Sequence, residues 1–276
     1  MPLAPKVSIC IPTFRGEATL GAAIESVLAQ SLTDFELVVI DDGSPGDTRA
    51  IMERFDDPRI TYLRNASNLG PQGNWNRCLE VAQGTYFKLL PHDDLLHPRC
   101  LERQVAVLEA DPSERFALVF CARIVLGPDG RTLTRRGYPG RVEGTIPARK
   151  VMGSCVRRGT NLLGEPGAVL MRRSLANRVG AFDATNPYVI DLDYWFRLLA
   201  HGDAYYIDDT LASFRVSQSQ WSVVIGHGQS GDFRQFVARL AAAGALPASA
   251  MDRICGLVTP ALNNLARMVF YRLYLR

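Results

Sequence analysis

"FELVVIDDGSPGD", residues 35–47, runs from a hydrocarbon stretch into two adjacent carboxylates and then into a turn. Residues 35–40 read as a buried strand, because a short apolar run bounded by turn residues suits a strand covered on both faces. Asp41 and Asp42 then fall at the carboxyl end of that strand. Two like charges at one spot repel unless a ligand or a metal makes use of them. The stretch therefore predicts a binding site as well as a strand.

Outward from it, the first half of the chain alternates strand and helix. "VSICI" (7–11), closed by Pro12, reads as a second buried strand, and Leu20, Ile24, Val27 and Leu28 recur at the spacing of a helix over 17–30. A helix around 47–55, a strand at 60–63, a helix over 72–82 and the strand "TYFKLL" (85–90) follow. Such alternation implies a parallel sheet covered on both faces, with ligands at the carboxyl ends of its strands. The second half is less regular: a helix over 98–110, a strand at 116–126, the turn "GPDG" (127–130) opening a hairpin, and a strand within 165–173. "DLDYWFRLLAHG" (191–202) has helical spacing at Leu192, Trp195, Phe196 and Leu199, with Gly202 as its stop. The tail from about 231 to 274 reads as amphipathic helix interrupted near Pro247 and Pro260.

Composition narrows the function classes. The 276 residues, 47% hydrophobic and 21% charged, suffice for one large domain or a domain with an appendage. The net charge is only +3, and the arginine pairs are scattered instead of forming a stripe, which argues against nucleic acid. The six cysteines lack CxxC spacing and sit in apolar or helical contexts, as reduced core residues of a cytosolic protein do. No signal pattern and no membrane-spanning run is visible. The expected location is cytoplasmic, with a peripheral contact at the inner face of the membrane as an option raised by the tail. There, Leu265, Met268, Val269 and Leu273 share one helical face with Arg267, Arg272 and Arg276 nearby; packing on its own domain or forming a homodimer explains the same pattern.

Six segments in order, from "VSICIPTFRGEATL" through "VVIDDGSPGDT", "NASNLGPQGNWN", "PHDD" (91–94), "GEPGAVLMRR" and "IDLDYWFRLLAHG", resemble the nucleotide-sugar domain of family 2 glycosyltransferases. The resemblance covers roughly residues 5–216. It implies a GT-A fold, an α/β architecture with a Rossmann-like, mostly parallel sheet and helices on both faces, followed here by a C-terminal helical extension. The implied division is a catalytic domain over 1–216, with a nucleotide-sugar half at 5–97 and an acceptor half at 98–216, and a loop and helices over 217–276.

The resemblance also assigns roles. Asp42 is the expected reader of the nucleotide base, with Asp41 supporting the turn and Pro12 and Thr13 lining the same pocket; the plainer reading of "DDGSPGD" is a turn with Asp capping the next helix. Asn68 and Gly70 fit the family's donor loop, and a helix-initiating turn accounts for them equally. Asp94 is expected to hold a divalent metal, Mn or Mg, on the diphosphate, and Asp93 to meet ribose or sugar hydroxyls. Pro91 stands where many relatives carry a further carboxylate, so the metal site is expected to be sparse. His92 and His97 lack further ligands at zinc spacing and read as loop residues.

Asp191, at a helix start, is the expected general base, against the plainer reading of a helix cap. Asp193 lies off that face and is expected to pair with Arg197 at i+4. Glu165 falls on the acceptor or sugar side. Arg215 is expected near the phosphates, although Ser217 replaces a histidine common two residues later; His227 is one candidate substitute, and a solvated loop histidine is the plainer reading of it. Trp75 stands where an arginine is common. The implied activity is inverting transfer of a sugar from a nucleoside diphosphate donor, uridine favoured, to a hydroxyl of a glycan or lipid-linked glycan; the alternative is an inactive nucleotide-sugar-binding or scaffold subunit.

Overall fold

The protein is described by a computed structural model covering residues 4–140, 142–216, 228–246 and 249–274, with side chains of the final helix as far as residue 269. Ser217, His227, Pro247 and Arg276, and the side chains of Arg272 and Leu273, lie outside the described residues.

Four parallel strands, β1 (Val7–Thr13), β2 (Phe35–Asp41), β3 (Ile60–Arg64) and β4 (Tyr86–Leu89), stand in the order β3-β2-β1-β4. Their side chains alternate between two cores, as a strand's period of two requires. Val7, Ile9, Ile11, Leu37 and Val39 face α1 (Leu20–Leu28) and α4 (Cys100–Glu109), whereas Cys10, Val38 and Ile40 face α3 (Gly70–Val81). Between β2 and β3 lies the single-turn α2 (Thr48–Met52), whose first turn is capped by Asp47 accepting from the Ala50 N–H at 3.0 Å. β1 and β2 are in register from Val7 opposite Phe35 to Thr13 opposite Asp41. The Asp42 N–H then donates to the Thr13 carbonyl at 2.8 Å. The two strand ends are thereby tied together where the carboxylates emerge.

The sheet continues through β9 (Val169–Arg172), antiparallel between β4 and β6 (Phe116–Leu126), and β10 (Asp203–Arg215), parallel to β6. Three short antiparallel strands finish it: β5 (Leu95–Leu96) and β8 (Gly144–Ile146) on β10, and β7 (Thr132–Arg136) on β6. The ten-stranded sheet is mixed, and its three longest ladders, β6–β10, β1–β2 and β2–β3, are parallel. The expected hairpin after "GPDG" is the β6–β7 pair.

Helix α7 (Ile190–Leu199) buries Leu192, Tyr194, Trp195, Phe196, Leu198 and Leu199. At about 1.5–3 kcal/mol for each large apolar side chain removed from water, this packing fixes the helix far more firmly than a charge in its first turn, worth about 0.3–1 kcal/mol. The C-terminal helices α8 (Gln229–Ala242) and α9 (Ala250–Tyr274) pack on the same side of the molecule. α8 inserts Phe233 and Phe236 into the core against Phe196.

The expected interruption at Pro260 does not occur, and α9 runs through it. A proline inside a helix costs about 3 kcal/mol, which is offset here by close packing on α5 (Ala148–Arg158). Gly159 ends α5 in the left-handed region (φ +62°), and a Cβ there would lie 2.5 Å from the Pro260 nitrogen. Thr259 and Asn263 donate to the last carbonyls of α5, from Arg157, Arg158 and Gly159. α9 thus turns its polar edge inward, while Met251, Ile254, Val258, Leu262, Leu265 and Val269 face out. No helix among the described residues is long and apolar enough to cross a membrane.

Candidate active site

At the carboxyl end of β2 the two carboxylates part company. Asp41, fully buried, accepts from the Ser44 N–H (2.9 Å), the Tyr62 hydroxyl (3.1 Å) and the Arg64 guanidinium (2.7 Å). Every one of these is a turn or neighbouring-strand group, and Asp41 does not line the adjacent cleft. Asp42 does. Its Oδ1 accepts from Asn65 Nδ2 (2.7 Å) and the Leu69 N–H (2.8 Å), and Asn65 in turn leans on Asn74, which donates to the Ile40 carbonyl. Asn68 donates to the Asp42 carbonyl and accepts from the Gly70 N–H, where φ is +73° and α3 begins. The like charges of the opening stretch are separated by giving one to the turn and one to the cleft.

The cleft, about 850 Å³, runs along the carboxyl ends of the strands. Pro12, Thr13, Asp42, Asn68, Gly70 and Trp75 line one end, Asp93 and Arg215 its side, and Glu165 and Asp191 the other end. Gly16 lets the loop after β1 close over the floor, since a Cβ there would meet Thr13 Oγ1 and the His92 ring. His92 is thus a packing residue of the cleft wall. Trp75 meets Phe182 edge to face at 5.4 Å, which gives the position an apolar wall in place of a cation.

The "PHDD" loop separates its two carboxylates in depth. Asp93 lines the cleft, and Asp94 is buried beneath it, with Oδ1 accepting from the Arg215 N–H at 3.0 Å and Oδ2 meeting no donor among the described residues. Burial, with the Asp93 charge beside it, pushes Asp94 well above the ordinary carboxylate range. The Arg215 guanidinium donates to the Asp93 and Gly127 carbonyls and so holds this loop against β10 and the turn after β6. Among the described residues no group of three His, Cys, Asp or Glu side chains converges on a metal position. A buried carboxylate oxygen without a donor, next to a second carboxylate, nevertheless fits an ion that takes most of its ligands from a diphosphate and water, as Mg²⁺ does.

Asp191 occupies the first turn of α7. Its Oδ1 accepts from the Leu192 N–H (2.6 Å) and its Oδ2 from Asn161 Nδ2 (2.9 Å), while Asn161 Oδ1 is fixed by the Leu163 and Gly164 N–H groups. Burial, and after it the charge of Glu165, raises the Asp191 pKa to about 7, against the lowering effect of these hydrogen bonds and of Arg123. Glu165 goes the other way. Burial alone would raise it, but Arg123 and Arg136 outweigh burial and hold it ionised below the usual range, with Arg123 paired to it directly. Two carboxylates of one cleft are thus driven apart: one a fixed anion, the other able to take a proton near neutrality.

The segment leading to Asp191 is braced from the C-terminal helices. Asp232 of α8 accepts from the Tyr188 N–H (3.0 Å), and Arg239 reaches both Asp183 (3.0 Å) and Asp193 (2.7 Å). Asp193 also forms the expected i+4 pair with Arg197 at 2.8 Å. Asn65, Asn74, Asn161 and Arg123 are the participants that sequence reasoning missed. The first two lie within or beside "NASNLGPQGNWN", a quoted motif, whereas Asn161 and Arg123 carry no local signal at all.

The family profile described as Glycosyl transferase family 2 matches residues 8–180. An uncharacterized protein of Mycobacterium tuberculosis is 34% identical over 219 residues, 76% of this chain and 67% of that protein. The Campylobacter jejuni GalNAc(5)-diNAcBac-PP-undecaprenol beta-1,3-glucosyltransferase is 36% identical over 119 residues, 42% of this chain and 37% of that one. Among solved structures, Staphylococcus aureus TarS residues 1–349 in complex with UDP-GlcNAc superposes with a TM-score of 0.68 at 17% identity, covering 98% of this chain and 76% of that one. That likeness is one of fold, shared across both halves of the sheet.

Proposed function

The chain belongs to glycosyltransferase family 2, and from that premise we propose that it is an inverting enzyme. It moves a sugar from a nucleoside diphosphate donor, a UDP-sugar, to a hydroxyl of a glycan or lipid-linked glycan. The observation that carries this reading is the cleft with Asp42 at one end and, at the other, a carboxylate whose pKa lies at about 7. A base is most effective when its pKa is near the working pH. The acceptor hydroxyl attacks the anomeric carbon while Asp191 takes its proton, and the nucleoside diphosphate leaves from the opposite face, so the configuration inverts. Asn161 aims the Asp191 carboxylate, and Arg123 keeps Glu165 an anion that is unavailable as the acid.

At the nucleotide end, Asp42 presents a carboxylate to a ring N–H of the base, and Pro12, Thr13, Asn68 and Gly70 form the walls around it. Asp94 is the residue that would hold Mn²⁺ or Mg²⁺, Asp93 meets ribose or sugar hydroxyls, and Arg215 keeps their loop in place. Such an ion, when bound, neutralises charge on the departing diphosphate. The complexes named for TarS support uridine, and the printed activity of the Campylobacter relative supports a lipid-linked acceptor. The outward apolar row of α9 supports a contact outside the chain, with the inner membrane face or a second copy; liposome sedimentation and gel filtration tell these apart.

The test is a panel of nucleotide sugars incubated with the purified full chain and Mn²⁺, read by melting temperature and by released sugar. A UDP-sugar is expected to raise Tm, as any ligand of the folded state does, and to be hydrolysed slowly. If no uridine, guanosine or thymidine diphosphate shifts Tm, the donor reading fails. Binding with no sugar released or transferred supports the inactive-subunit alternative instead.

A further inference from the structure

Beside the donor cleft lies a second cavity of about 610 Å³, walled by the end of β7, the loop after α5 and the inner edge of α9. Five arginines line it, Arg123, Arg135, Arg136, Arg158 and Arg267, and no carboxylate does among the described residues. Glu165 neutralises Arg123 and Asp208 neutralises Arg135. Arg267 meets the Tyr188 hydroxyl. Arg136 and Arg158, both exposed, have no carboxylate within ion-pair distance among the described residues. So many guanidinium groups around one cavity repel each other, and an anion in their midst removes that repulsion.

The backbone is arranged to the same end. α5 points its carboxyl terminus toward the cavity, an end that carries partial negative charge and repels anions. Its terminal carbonyls at Arg158 and Gly159 are instead occupied by the Asn263 amide, which comes from α9. The wall is left with guanidinium donors, whose planar forks match phosphate oxygens two at a time.

The cavity shares Arg136, Thr160, Asn161 and Arg267 with the donor cleft, and none of the nucleotide-end residues Pro12, Thr13, Asp42 or Asn68. Asn161 is the residue that holds Asp191. A ligand seated among the arginines therefore lies on the base side of the cleft, where an acceptor must approach. We propose that this cavity is the acceptor subsite for a phosphate or diphosphate group, so that the enzyme selects acceptors whose reactive sugar is attached to such a group. The inference rests on the reading of Asp191 as the base. Both a lipid-linked diphosphate and a soluble phosphate-bearing glycan supply this chemistry.

The test is calorimetric titration of the full chain with inorganic pyrophosphate, with Mg²⁺ and excess UDP present throughout to fill the donor cleft. Wild-type protein is expected to bind, and Arg136→Ala/Arg158→Ala to lose affinity by about tenfold or more, the value of charge-assisted hydrogen bonds. Arg136→Lys/Arg158→Lys is expected to fall between them, because charge remains and the fork is lost. Should the alanine variant unfold, the glutamine double variant takes its place. Equal affinity in wild-type and substituted protein, or no binding to wild type, overturns the proposal. A missing UDP-induced Tm shift counts separately, against the donor reading, and the titration is then read without UDP. Pelleting with phosphatidylcholine vesicles that carry a polyprenyl diphosphate, lost in the double variant, assigns a lipid source. Pyrophosphate binding without pelleting assigns a soluble one.

Discussion

The two ends of the cleft hold their carboxylates by opposite means. At the nucleotide end, Asp42 follows the tip of β2 in the parallel half of the sheet; its carboxylate accepts from the Asn65 amide and the Leu69 N–H, both within 30 residues, while its own N–H donates to the Thr13 carbonyl. At the base end, Asp191 depends on a loop amide 30 residues back, on ionised neighbours at 123 and 165, and on a segment braced by α8 more than 40 residues onward. The first end satisfies its charge with neutral donors. The second leaves its charge under-compensated, which suits a group that must accept a proton.

The largest test of this contrast is Asp191→Asn. The substitution keeps size and the hydrogen bond to the Leu192 N–H while removing the proton acceptor. Turnover with a nucleotide-sugar donor is expected to fall by about 10²–10⁴-fold, the usual worth of general-base catalysis, with donor Kd nearly unchanged. Steady-state kinetics beside calorimetry measures both. Near wild-type turnover would hand the role to Glu165 or Asp193; joint loss of donor binding and folding would make Asp191 a helix cap.

Asp42→Asn probes the other end and is expected to act on affinity. An amide facing the cleft presents a donor where the base N–H needs an acceptor, and losing a charge-assisted hydrogen bond weakens donor binding by about 10–100-fold. The chemical step should change much less. If this variant lost turnover at saturating donor while keeping affinity, the two ends would not be functionally distinct.

How much of this was readable follows the same division. The strand-end position of Asp42 and the alternation of the first four strands with helices are local or near-local patterns, and the alternation along β1 and β2 states which face each side chain takes. The mixed second half was harder. β9 enters the sheet antiparallel between β4 and β6, a placement that no periodicity in "AVLMR" encodes. Asn161 has no pattern to announce it, because its meaning comes from a contact across 30 residues. Pro260 misled for the matching reason: the local cost is real, and a tertiary contact between α9 and α5 outweighs it.

A smaller effect is expected in the pH profile. In the proposed role of base, Asp191, with its pKa near 7, must be deprotonated, so kcat/KM should rise with pH through a limb centred at about 7 and lose about tenfold for each unit below it. Asn161 donates to the carboxylate and lowers its pKa. Asn161→Ala should therefore move the limb to higher pH. A limb that stays in place would show that Asn161 only shapes its own loop.

The smallest effect is thermodynamic and sets the two ends against each other directly. For Asp191 the folded pKa is raised from the usual 3.8 to about 7, so the folded state binds a proton that the unfolded chain has released between those values. Stability attributable to this group is thus present below about pH 4 and is lost as pH rises toward 7. At pH 8 the buried charge burdens the fold, and Asp191→Asn should melt a few degrees above wild type, since about 1 kcal/mol corresponds to about 2–4 °C in a chain of this size. At pH 5 the folded group is still neutral but the unfolded chain has released its proton, so part of the cost is already present and the difference should be clearly smaller than at pH 8. Asp42→Ala should instead melt below wild type at both pH values, because it strands the Asn65 amide and the Leu69 N–H without their acceptor, a loss of about 1–3 kcal/mol for buried groups. Paired melting curves at pH 5 and pH 8 decide the matter. If Asp191→Asn melts below wild type at pH 8, the carboxylate stabilises the fold as Asp42 does, and the contrast between the two ends of the cleft is false.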